Sequence, residues 1–130
     1  MTGETDLSLM LSTISVARRP GLFCFLTNEA DLIPEAEAPI REDEGLTVVV
    51  RLEAARANGI EPDFVAAWLT LEVHSALEAV GLTAAVSRAL ADEGIACNMF
   101  AGYHLDHLLV PADAADSAAR AIQALASVSA

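Results

Sequence analysis

Apolar residues recur along this chain in two rhythms, and the changes between them mark its elements. Leu7, Met10, Leu11 and Ile14 fall at helical spacing behind Asp6, a residue able to cap, which predicts a short amphipathic helix over 6–13. Arg19-Pro20-Gly21 then predicts a turn, and the apolar run Leu22–Leu26 a buried strand that could form a hairpin with Ile14–Ala17. Residues 28–39, with two prolines and four acids, show neither rhythm and read as surface loop. Beyond them come a strand over Pro39–Glu42, an acidic turn closing on Gly45, and a strong strand over Leu46–Leu52. Glu53–Ala57 reads as one or two helical turns stopped by Asn58-Gly59, and the alternation over Ala66–Val73 predicts another strand.

The second half is patterned more clearly. After Gly81, Leu82, Ala85, Val86, Ala89 and Leu90 trace one helical face, and Gly94 is a natural stop. Ile95, Cys97, Met99 and Ala101 then alternate against Ala96, Asn98 and Phe100, as in a strand. Gly102–Leu105 turns the chain into a strand over Asp106–Val110, and Pro111 opens a helix over Ala112–Ala126 with Ala115, Ala118, Ala119, Ile122 and Leu125 inward. From residue 66 the order is therefore β-α-β-β-α, lacking the final strand of the split βαβ plan. An open apolar edge invites aggregation, so the N-terminal half, with strands to spare, is the expected donor of the missing one.

Composition fits a compact fold: of 130 residues 54% are apolar, many of them alanine, enough for one ordinary domain or two very small ones sharing a core. Charge narrows the function. Seven arginines face nineteen acids, for a net charge of −12, and lysine is absent. Schiff-base chemistry, pyridoxal phosphate anchoring and a P-loop lysine are thus excluded for this chain alone. So acidic a surface repels nucleic acid and anionic lipid, which are not expected partners. Cys24 and Cys97 form no CxxC pair, the N-terminal segment carries no positively charged region of a secretion signal, and no apolar run is long enough to span a bilayer. The expected location is the cytoplasm.

The stretch HSALEAVGLTAAVSRALADEGIACNMFAGYHLDHLLVP resembles an ACT domain, a small amino-acid-sensing module of metabolic enzymes. The resemblance rests on the loop Val80-Gly81-Leu82-Thr83 entering a helix, on Gly94-Ile95 leading into a strand, and on Asn98 within it. With REDEGLTVVV in the first half, the chain resembles small stand-alone bacterial proteins of two ACT-like units related to the aspartokinase regulatory region. The resemblance implies an α+β, ferredoxin-like fold: tandem or interleaved units with antiparallel sheets and helices on one face. Residues 1–65 would form an N-terminal unit, incomplete or interleaved, and 66–130 a C-terminal one. It also implies a ligand between paired units, held by Gly81, Leu82 and Thr83 at the helix start and by Asn98 and Met99 on the strand. A helix N-terminus suits a carboxylate, and an asparagine amide both donates and accepts. Each residue also has a plainer reading: Gly81 for backbone shape, Thr83 as a helix cap, Asn98 bonded to neighbouring backbone.

Other constellations are weaker. His104, Asp106 and His107, with His74 elsewhere, carry metal-ligating chemistry, but strand alternation sends His107 to the face opposite His104 and Asp106. We read the tract as a polar hairpin, with Asp106 positioning an imidazole or lining a ligand interface, and expect no metal or cofactor. Arg41-Glu42-Asp43-Glu44 reads as a solvated turn, the serines lie in no GxSxG, both cysteines read as inert core, and Trp68 reads as core or interface. The expected protein is a non-catalytic regulator, a homodimer binding a small amino acid or similar metabolite and read by a regulated partner. Two alternatives remain: an interaction protein with a vestigial pocket, or a metal-binding protein built on the histidine tract.

Overall fold

The first helix, α1 (Leu7–Ser12), forms where the sequence predicts it, with the Asp6 carboxylate accepting a hydrogen bond from the Leu9 amide at 3.1 Å. The structure is a computed structural model describing residues 6–73 and 75–129. Strands β1 (Val16–Arg18), β2 (Phe23–Thr27), β3 (Ala38–Glu42) and β4 (Gly45–Arg51) follow, then helix α2 (Leu52–Ala57) and strand β5 (Ala66–Leu71). Helix α3 (Leu82–Asp92), strands β6 (Asn98–Ala101) and β7 (Asp106–Pro111), and helix α4 (Ala115–Ser129) complete the order. The predicted surface loop over 28–39 contains a 3-10 segment, Ala30–Glu35, whose Leu32 is buried against Val48 and Val50. One apolar residue in that acidic stretch suffices to pin it to the sheet.

All strands join one antiparallel sheet in the order β3-β4-β2-β5-β7-β6, with β1 also on β5. The expected hairpin between Ile14–Ala17 and Leu22–Leu26 is not formed. Instead β1 pairs with the far end of β5 (Val16↔Leu71 to Arg18↔Leu69), while β2 meets its near end at Phe23↔Ala66. Both run antiparallel to β5, so Pro20-Gly21 does not reverse the chain; it bulges one broken strand, with Gly21 at φ +92°. β1 thereby takes, beside β5, the position of the last strand of the split βαβ plan, so the N-terminal half is the donor the sequence led us to expect.

The helices share one face. There Leu69, Leu71, Leu108 and Val110 pack with Met10, Leu11 and Ile14 of the N-terminal segment, Leu82, Val86 and Leu90 of α3, and Ala118 and Ile122 of α4. On the same face Cys24, Val48 and Val50 lie under Leu32 and Ala55. The opposite, helix-free face holds Phe23, Val49, Ala66, Trp68 and Leu109, yet Trp68 is only 2% exposed. Sheet and loops close over these residues without a helix. No polar side chain among the described residues is fully buried, so any chemistry lies at the margins of these clusters.

Candidate functional site at the start of helix α3

Gly81 caps α3 in a left-handed conformation, φ +105°, that an L residue with a β-carbon resists. A β-carbon there would also stand 2.8 Å from Leu7 Cδ2, so the glycine lets α1 pack close. Gly81 has no side chain with which to cap the first turn, whose N–H groups have no acceptor inside the helix. Thr83 is thus not the cap; it lies exposed as the second residue of the helix. Leu82 is buried and anchors α3 to the core.

A pocket of about 90 Å³ opens at this helix start, lined among others by Ser75, Leu82, Thr83, Gly102, His104 and Asp106. Asp106 opens β7 and accepts a hydrogen bond from Ser75 Oγ at 3.3 Å. The pocket therefore sets a carboxylate opposite a helix N-terminus, two poles of opposite sign. The exposed apolar side chain of Leu77 lies at its rim, and Val80 and Tyr103, also exposed, adjoin lining residues in sequence. Ser75 has no place in the sequence-derived set; only its position before the ACT-like loop could have signalled it.

The structure brings together only part of the predicted ligand set. Gly81, Leu82 and Thr83 lie at the helix start, but Asn98 pairs with Leu109 and stands exposed on the helix-free face. Its amide donates a long bond, 3.5 Å, to Leu109 O. Met99 points the other way and packs against the helix-side core. Of the histidine tract, His104 and Asp106 line the pocket while His107 lies on the opposite face, as alternation predicts. Among the described residues no group of three His, Cys, Asp or Glu side chains could hold a metal, and His74 lies outside them.

His107 instead joins a stack that sequence reading missed. Trp68 Nε1–H donates to its Nδ1 at 3.1 Å, and Thr70 Oγ1 lies 3.1 Å from the same nitrogen. The Arg19 guanidinium covers the Trp68 ring at 3.8 Å and binds Glu37 at 3.0 Å. Burial, helped by the Arg19 charge and opposed by Asp106, holds the His107 imidazolium below its ordinary pKa of 6.5. Burial likewise raises both thiols: Cys24, which is fully buried, and Cys97.

Comparison with known proteins bears on the family and the fold. Two models of the ACT domain match, one over residues 2–67 and the other over 64–124. A protein of unknown function from Vibrio cholerae, described as a possible transport protein, is 39% identical over 92% of this chain and 95% of its own, with a TM-score of 0.82. An Agrobacterium tumefaciens protein is similar at 18% identity over 87% of this chain and 89% of its own (TM-score 0.61). A chain of the aspartokinase α and β subunit structure matches at 15% identity over 85% of this chain and 96% of its own (TM-score 0.55). No curated protein matches. No helix among the described residues is long and apolar enough to cross a membrane.

Proposed function

Because this chain belongs to the ACT-domain family, with one match in each half, we propose that it is a non-catalytic regulatory protein that binds a small amino acid or related metabolite at an interface between units or subunits. ACT domains are typically regulatory and ligand-binding. The observation that carries the reading is the pocket at the start of α3. The helix N-terminus would receive the ligand carboxylate, and Asp106, with Ser75 beside it, the ammonium. The two units are residues 1–65 and 66–130, with α1 and β1 lent by the first to the second.

A second copy would complete the site. Leu77 at the rim of this small pocket is 63% exposed, and Val80 and Tyr103, near it in sequence, are 82 and 61% exposed. Strand β6 ends the sheet with a free edge, so a copy pairing there would bring Asn98 to the interface. Ligand binding would then shift how the copies pack, and a partner would read the shift.

The test is thermal unfolding against each of the twenty amino acids, with the oligomer followed by light scattering. A ligand at about 100 times its Kd adds roughly 2.7 kcal/mol, several degrees for a chain of this size. One amino acid should raise Tm in the native protein and not in Asp106→Asn. Loss in Asn98→Ala as well would show that the second copy supplies that residue. No shift with any amino acid would sink the reading and leave an interaction protein in its place.

A further inference from the structure

The two halves of the sheet meet at a narrow joint. Between β2 and β5 the ladder holds one residue pair, Phe23↔Ala66, whereas β5 and β7 pair along the whole of Ala66–Leu71. On the helix-free face this joint is spanned by Arg19. Its amide donates to Trp68 O at 2.9 Å in the C-terminal half, while its guanidinium lies over the Trp68 ring and pairs with Glu37, whose own amide donates to Val49 O at 2.8 Å in the N-terminal half. Phe23 and Phe100 meet the Trp68 ring edge-on, at 5.2 and 5.3 Å between centroids. Trp68 is thus the post to which both halves are fastened, and its only polar side-chain atom is spent on His107.

We propose that the Arg19–Trp68–His107 stack is an acid-released latch across this joint. An indole N–H can only donate, so Nδ1 of His107 must accept and the neutral ring carries its proton on Nε2. Taking up a second proton at Nδ1 turns that acceptor into a donor. The indole then loses its partner, and Nδ1–H turns to the Thr70 hydroxyl, which can accept as readily as donate. The new imidazolium also repels the Arg19 guanidinium held over the same indole.

The groups facing His107 are few. Trp68 and Thr70 reach it from β5, and the Phe100 ring stacks on it from β6 at 5.7 Å between centroids. A β-carbon at Gly102 would lie 3.0 Å from Nε2, so that glycine makes room for the ring. The charges bearing on it are Arg19, with Glu37 behind, and Asp106 on its own strand. The stack is therefore intact at neutral pH and released as pH falls through the His107 pKa, which lies below its ordinary 6.5.

Trp68 is the protein's single tryptophan, so its fluorescence reports the latch in the intact chain. Between pH 8 and 5 the emission should change with a midpoint below 6.5, and acrylamide quenching of the 2%-exposed indole should rise several-fold with the same midpoint. His107→Gln, which can still accept from Trp68 but cannot titrate, should abolish both changes. Thr70→Val, lacking the second acceptor, should lower the midpoint, and Arg19→Gln, lacking the repelling charge, should raise it. Quenching that stays flat across the range overturns the proposal, as does a transition that persists in His107→Gln. If that variant fails to fold, midpoints that do not move in opposite directions in the other two are equally fatal.

Discussion

Gly81 and His107 show what single residues decide here. At Gly81 an alanine would carry a β-carbon into a left-handed backbone and onto Leu7, so Gly81→Ala should lose ~1–3 kcal/mol by urea unfolding. Leu7→Ala should recover part of that loss, because the clash is with that side chain, and the coupling would appear as non-additivity in the double variant. His107 has a folded-state pKa below its unfolded one, so the unfolded chain binds the proton more readily. The stability it contributes is complete above pH 6.5 and is lost as pH falls through the folded value. Urea midpoints should therefore drop from pH 7 to 5.5 more steeply in the native protein than in His107→Gln.

At the scale of elements, local pattern reached the helices and strands themselves. Leu82, Val86 and Leu90 lie where helical spacing puts them, and Asp6 caps α1 because a carboxylate there meets an otherwise unpartnered amide. Asp6→Ala should cost about 1 kcal/mol and fray α1, visible as faster exchange of the Leu9 amide. Partners joined by a tight turn were legible, as in β3–β4 and β6–β7, but the partner of β1 was not. Alternation tells which side chains share a face and not which strand lies alongside, so β1 went to β2 on paper and to β5 in the molecule. The site suffered differently: the alternation over Ile95–Ala101 already set Asn98 and Met99 on opposite faces, but the family resemblance grouped them. The helix start was legible from Gly81-Leu82-Thr83; Ser75 and the Arg19 stack were not, because they meet only through the sheet.

For the whole molecule, the two ACT-like halves are not separable bodies. The core under α3 and α4 includes Met10, Leu11 and Ile14 from the first half, and Gln123 of α4 donates to Ile14 O at 2.7 Å. Fragments cut at Asn58-Gly59 should each be poorly folded alone, with weak circular dichroism and strong binding of a hydrophobic dye, and should regain the native signal when mixed. Two native-like fragments would contradict the shared core. The same arrangement bears on the protein's birth at the ribosome. Domains generally fold as they emerge, first half first. Here α1 and β1 are made before the surfaces that receive them, β5, then β7, then α4. The apolar face of α1 must wait, uncovered, until α4 has left the exit tunnel, and during that interval it is a handle for a chaperone.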